Sequence, residues 1–230
     1  MAKKEAPCQC KRGERVLLVE GKNDCYVIMH LCQEHQLPET LFCIYNCEGD
    51  ENLLYELEIR LKVDLQQRPK IIGIVLDADI PENQPNLMTR WQQLTDKLKK
   101  YNYTLPAQPD KQGTIISSNI DKYPRLGIWL MPNNQDTGML EDFLKQLAVP
   151  DTLATAQSCV KCAQRRKVTH FKAAHISKAE LYTYLAWQDE PGKPYGMAIT
   201  AHALQPNTEI AHLFTAWLKK LFNKKYSDPK

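Results

Sequence analysis

Apolar residues alternate along the chain between two kinds of block. Residues 15–20 (RVLLVE) are a short apolar run closed by Gly21, the pattern of a strand buried on both faces. Val27, Ile28, Leu31 and Cys32 then recur at helical spacing, which predicts a helix opened by Asn23 or Asp24 and running to about Gln36. The alternation repeats. Residues 41–47 (LFCIYNC) read as a second strand, and Leu53, Leu54, Leu57 and Leu61 stripe a second helix to about Val63. Residues 70–76 (KIIGIVL) form a third buried strand that ends on Asp77, and residues 86–101 a third helix around Leu87, Trp91, Leu94 and Leu98. A polar, turn-rich stretch at 102–124 has room for a short hairpin around residues 113–116. Residues 126–131 (LGIWLM) are then a fourth strand, and residues 139–147 a fourth helix.

Parallel strands need crossovers and helices supply them, so this order predicts an α/β fold: a Rossmann-like layer with a parallel four-stranded sheet covered by helices. Beyond Pro150 the strands stop. Helices are expected at 151–166 and 177–187, then a bend rich in proline and glycine (Pro191, Gly192, Pro194, Gly196), then a last helix near 207–222. Tyr182, Tyr184 and Trp187 match the spacing of Leu181 and Leu185, which favours core positions for them over a stacking platform. The expected division is a core at 13–148 and a mainly helical extension at 149–230 packing on it.

Composition narrows the setting. No stretch approaches the ~20 consecutive apolar residues of a membrane span, and the charged opening MAKKEAPCQCKRGER lacks the apolar centre of a signal peptide. These observations predict a cytoplasmic protein whose eight cysteines are mostly reduced. Cys8, Cys10, Cys159 and Cys162 together offer four thiolates for zinc. The Cys8–Cys10 spacing is too short for a zinc knuckle and the chain has no second CxxC, so zinc is the lesser reading. The formal charge is only +3, but cations gather at Lys3, Lys4, Lys11, Arg12 and Arg15, at Arg165, Arg166 and Lys167, and at Lys219, Lys220, Lys224 and Lys225. Such clusters either track a phosphate backbone or are ordinary solvated faces.

In open α/β sheets, ligands gather outside the carboxyl ends of the strands. Glu20, Asp77 and Asp79 all fall there, and Glu48 and Asp50 follow another strand. Each taken alone is an ordinary strand-end acid or helix cap, as Asp24 can be. Crowded together they repel one another unless a cation neutralises them, and hard oxygen donors suit Mg²⁺ or Mn²⁺.

Val19-Glu20-Gly21-Lys22-Asn23-Asp24, with Leu76-Asp77-Ala78-Asp79 at a later strand end, resembles the Toprim signature of topoisomerases, bacterial-type primases, small maturation ribonucleases and OLD-family nucleases. Gly127-Ile-Trp-Leu-Met-Pro-Asn-Asn134, followed by Gly138-Met-Leu-Glu-Asp-Phe-Leu144, further resembles the small stand-alone OLD-like Toprim proteins. The resemblance covers roughly residues 13–148. It implies that Glu20 is the acid/base carboxylate, that Asp77 and Asp79 hold metal with Glu20, and that Gly21 lets backbone approach the site. Asp24 matches an acidic residue one helical turn after the glutamate. Glu141 is either support for a second ion or an ordinary first-turn acid. A lysine after the sheet, Lys172 or Lys178, is implied to steady the transition state. Lys22, Arg165, Arg166, Lys167 and His170 are candidate phosphate contacts, the alternative being a solvated helix face.

The expected activity is therefore metal-dependent hydrolysis of phosphodiesters in DNA or RNA with one or two Mg²⁺ or Mn²⁺ ions, as in the effector of an antiviral defence system. The chain has no GxxxxGK[ST] loop, so an ABC-type ATPase partner would be a separate subunit, and a homo-oligomer is also open. The alternatives are a non-catalytic nucleic-acid-binding or assembly module and a structured-RNA maturation ribonuclease. Asp79 is followed by Ile80-Pro-Glu-Asn-Gln-Pro85 rather than by the glycine and basic helix of the ribonuclease branch, which weighs against the last.

Overall fold

The computed structural model describes residues 8–10, 13–78, 86–120 and 122–223. Its order is β1 (Arg15–Val19), α1 (Lys22–Glu34), β2 (Cys43–Asn46), α2 (Asp50–Lys62), β3 (Ile71–Asp77), α3 (Leu87–Lys99), β4 (Thr114–Ile116), β5 (Arg125–Met131), α4 (Leu140–Lys145), α5 (Pro150–Arg165), a 3₁₀ turn (Ala173–His175), α6 (Ile176–Leu185), α7 (Tyr195–Thr200) and α8 (Glu209–Phe222). The fold is α/β as expected, but the sheet has five strands in the order β2-β1-β3-β5-β4. Four of them are parallel; β4 runs antiparallel to β5, with Ile115 opposite Gly127. A purely parallel four-stranded sheet is thus corrected. The polar stretch before β5 folds back as an edge strand whose three residues are too few to show a period.

Alternate residues of each central strand feed opposite cores, which is why these strands read as unbroken apolar runs. Val16, Leu18, Ile72, Ile74, Leu76, Ile128 and Leu130 pack with the apolar faces of α2 and α3. Leu17, Val19, Val75, Trp129 and Met131 pack with α1, α4 and α8. Gly73 and Gly127 are paired across β3 and β5; a Cβ at Gly127 would run into Leu221 of α8, and one at Gly73 would run into Leu17 and press on Phe222 and Leu221. The two glycines let α8 lie close on the sheet, and its residues Ile210, Phe214, Trp217, Leu218, Leu221 and Phe222 are buried there. The last helix is part of the sheet's own core, with Trp129 and Phe214 edge to face at 5.0 Å.

Three further expectations change. The bend at 191–196 leads directly into α7, where Gly196 serves packing: a Cβ there would meet the His30 ring and the carbonyl of Tyr26 on α1. Tyr184 is buried, but Tyr182 and Trp187 are about half exposed. Of the cysteines, four are bridged rather than reduced: Cys8 to Cys25 and Cys10 to Cys43. These bridges staple the N-terminal segment along β2, where the amide of Cys10 donates to Ile44 and that of Asn46 to Cys8. The four-thiolate zinc site is thereby excluded, since Cys8 and Cys10 are engaged elsewhere and Cys159 and Cys162 are free on the exposed side of α5. Among the described residues no helix is long and apolar enough to cross a membrane.

Candidate functional site

β1 and β3 are neighbours, with Val19 opposite Val75, so Glu20 and Asp77 emerge at one edge of the sheet. The Asp77 amide donates to Glu20 Oε1 at 2.6 Å, and the amide of Leu140, which opens α4, donates to Asp77 Oδ1 at 2.9 Å. The β2–α2 turn closes on the same edge. Gly49 adopts φ +133°, a left-handed value that glycine alone takes without strain, and its amide donates to the Glu20 carbonyl at 2.8 Å. This turn delivers Asp50 to the first position of α2.

Asp24 lies in the first turn of α1, buried, and accepts a bond from the amide of Gly21 at 3.1 Å. Glu141 lies in the first turn of α4, also buried. Its Oε1 accepts from the Tyr195 hydroxyl at 3.2 Å and sits 3.3 Å from Lys178 Nζ. Burial pushes the Glu20 carboxyl up to about 8; Asp24 and Asp50 push the same way, against the Asp77 amide and the Arg90 guanidinium. Burial, with the charge of Glu141 added, lifts Asp24 to about 7 while Gly21 and Lys178 oppose it. Burial and the neighbouring Glu141 also hold the Tyr195 phenol well above its ordinary range. The edge is a cluster of carboxylates in which Glu20 and Asp24 resist ionising, with one lysine leaning in.

Behind them stands Arg90 of α3, 1% exposed. Its Nε donates to the Asp77 carbonyl at 3.2 Å, one terminal nitrogen pairs with Asp50 at 2.9 Å and the other reaches Gln93 at 2.9 Å. To one side, Lys145 Nζ lies 2.9 Å from each of Asp142, Glu180 and Ser177, and Ser177 donates to Asp142 at 2.6 Å. Asp142 follows Glu141, and Ser177 precedes Lys178. This small network therefore locks α4 to α6 at the turns that carry the Glu141–Lys178 pair.

The fold thus brings Glu20, Asp24, Asp77, Glu141 and Lys178 to one edge. Asp79 lies outside the described residues. Lys172 sits exposed just before the 3₁₀ turn, and no contact of it with the acidic cluster is seen. Lys22 is exposed, its ammonium 5.8 Å from the Tyr26 ring. Arg165, Arg166, Lys167 and His170 are exposed at the end of α5 and beyond, and among the described residues Arg165, Arg166 and Lys167 form no ion pair. Arg90 and Tyr195 went unread in the sequence. Arg90 did carry a signal, because it sits between Leu87 and Leu94 on the apolar stripe of α3, where a cation needs a buried partner. Tyr195 carried none.

Buried carboxylates with raised affinity for protons are the setting that a hard divalent cation relieves, so the donor chemistry fits Mg²⁺ or Mn²⁺. One oxygen of Glu20 and one of Asp77 are held by backbone amides, however. Among the described residues no three His, Cys, Asp or Glu side chains gather closely enough to hold a metal ion.

No curated protein matches the chain. Among solved structures it is similar to the C-terminal region of the Burkholderia pseudomallei OLD protein, at 10% sequence identity and a TM-score of 0.46, over 90% of this chain and 97% of that one. A family model described as a protein of unknown function, DUF3226, matches residues 14–223, and the chain belongs to that family.

Proposed function

We propose that the chain has a Toprim-type fold and is a metal-dependent nuclease that hydrolyses phosphodiesters at the edge formed by Glu20, Asp24, Asp77 and Glu141. The observation that carries this reading is the convergence of Lys178 on Glu141 beside buried carboxylates with raised pKa. Perturbed acids grouped with a partly exposed cation at the carboxyl end of a sheet are the arrangement phosphoryl chemistry uses.

Glu20, Asp77 and Asp79 would hold Mg²⁺ or Mn²⁺, with Asp24 and Glu141 available to a second ion. Lewis acidity toward the phosphate and neutralisation of the carboxylates are what such an ion supplies when bound. The residues do the rest. Glu20, whose proton affinity lies near neutrality, is suited to accept a proton from water or return one to the leaving oxygen. The Lys178 side chain is 44% exposed, so ammonium donors beyond the one directed at Glu141 can meet the phosphate oxygens. Arg90, wholly behind the carboxylates, holds the Asp77 backbone and Asp50 in place.

The test is cleavage of single-stranded DNA, double-stranded DNA and RNA with Mg²⁺ or Mn²⁺ by the wild type, Glu20→Ala and Asp77→Ala. Cleavage by the wild type that both variants lose is the expected result. Equal cleavage by all three overturns the proposal. A wild type that binds nucleic acid without cutting it, and is indifferent to Mg²⁺ in calorimetry, favours instead the non-catalytic binding module. That reading draws on the same backbone bonds that occupy Glu20 and Asp77.

A further inference from the structure

Tyr182 is 49% exposed although its helical spacing is that of a core residue. It lies four residues after Lys178 on α6, hence on the same face and about 6 Å further along the axis. Its ring is held: the Tyr195 ring lies 5.4 Å away, centroid to centroid, tilted by 35°. Tyr195 is buried, and its hydroxyl donates to the Glu141 oxygen that Lys178 faces. An aromatic face open to solvent is thus anchored through one phenol to the candidate site, a single helical turn from its exposed cation.

We infer that Tyr182 is a stacking platform for an unpaired nucleobase next to the phosphate engaged by Lys178, so that the substrate is single-stranded nucleic acid or a frayed end. The inference rests on the nuclease reading and names its substrate class. Cation and ring are spaced along α6 by roughly the reach of one nucleotide, so a phosphate on Lys178 puts its own or an adjoining base over Tyr182. Every base has a π face, whereas a base inside a duplex has none to offer; stacking therefore selects unpaired strands without selecting sequence. Tyr195 fixes the orientation of the Tyr182 ring beforehand, which lowers the entropy lost on stacking.

Binding without divalent ions separates this inference from catalysis. A fluorescent oligothymidylate, an oligouridylate, the oligothymidylate with abasic sugars and a DNA duplex of the same length are titrated with the wild type, Tyr182→Phe and Tyr182→Ala. Tighter binding of the single strands than of the duplex is expected in the wild type. Tyr182→Ala lowers single-strand affinity about 5- to 150-fold, the range for losing one base–aromatic stack. Tyr182→Phe keeps the affinity, and Tyr182→Ala leaves duplex binding unchanged. Abasic substitution erases the difference between wild type and Tyr182→Ala. The DNA and RNA arms show which sugar the site accepts, and a stacking loss on either supports the inference. Single-strand and duplex affinity falling equally, or neither falling, overturns it while the nuclease reading stands. A wild type that binds no single strand overturns the inference, while the nuclease reading is decided by the cleavage assay with Mg²⁺ or Mn²⁺.

Discussion

Glu20 accepts a 2.6 Å hydrogen bond from the backbone amide of Asp77, so the ends of β1 and β3 are joined through the very carboxylate that the sequence singles out for chemistry. The bond orients one Glu20 oxygen, and the charges of Asp24 and Asp50 act on the carboxyl. A residue so placed is at once structural and reactive. Its protonation should show in stability as well as in catalysis.

Glu20 binds its proton more tightly folded, at about 8, than at the ordinary 4.5, and Asp24 does likewise at about 7 against 3.8. The folded state therefore holds more protons than the unfolded chain between those values, and stability must fall as pH rises through that window. Without divalent ions the melting temperature is expected to be higher at pH 5.5 than at pH 8.5. Glu20→Gln should flatten the slope, and Mg²⁺ should restore more stability at pH 8.5 than at pH 5.5. Calorimetric melts of both proteins check this; identical slopes would remove Glu20 as the source.

Arg90 is the cation on which the acidic edge leans from behind. Replacing it with methionine keeps much of its volume but leaves the Asp77 carbonyl and Asp50 without it. Removing one member of a buried pair costs roughly 3–5 kcal/mol, and Asp50, a third exposed, places this case near the low end at about 3 kcal/mol. Urea unfolding is the measurement. A loss under about 1 kcal/mol would mean that solvent readily replaces the guanidinium.

The two disulfides predict a second stability effect. Cys8–Cys25 and Cys10–Cys43 close loops with separations of 17 and 33 residues, and closing a loop of that size stabilises by about 3 kcal/mol. Dithiothreitol or paired Cys10→Ser and Cys43→Ser substitutions should lower the melting temperature by several degrees. Free-thiol titration before and after reduction reads the bridges directly: four thiols in the unreduced, unfolded chain and eight after reduction.

The α/β alternation was legible because parallel strands buried on both faces leave unbroken apolar runs, as at residues 71–76. β4 was legible only as room for a short hairpin at 113–116, not as a strand of the main sheet, since Thr114–Ile116 is too short to show a period. α7 was hidden because Pro194 and Gly196 resemble a bend, whereas Gly196 is small so that α7 can approach α1. Within the site, Glu20, Asp24 and Asp77 could be read because a strand end or a first helical turn announces itself locally. The pairings of Glu141 with Lys178 and with Tyr195 join positions 37 and 54 residues apart and have no local signature. Helical spacing alone misread Tyr182, because α6 buries Tyr184 and Leu185 on one side and leaves Tyr182 open on another.

Lys178 and Lys172 both stood as the lysine that steadies the reacting phosphate, and the structure separates them. Lys178 reaches Glu141 at 3.3 Å; Lys172 is exposed before the 3₁₀ turn. A donor aimed at developing charge typically contributes about 10²–10³ in rate, whereas a peripheral phosphate contact contributes mainly salt-dependent binding. Under saturating substrate with Mg²⁺, Lys178→Ala should therefore lower the cleavage rate about 100-fold or more with little change in binding. Lys172→Ala should leave that rate within about 2-fold and, if it contacts phosphate at all, flatten the dependence of affinity on salt by roughly one unit of slope. Single-turnover cleavage and salt titrations of both variants give the comparison. Equal rate losses in the two would mean that the Glu141–Lys178 contact does not mark the reacting centre.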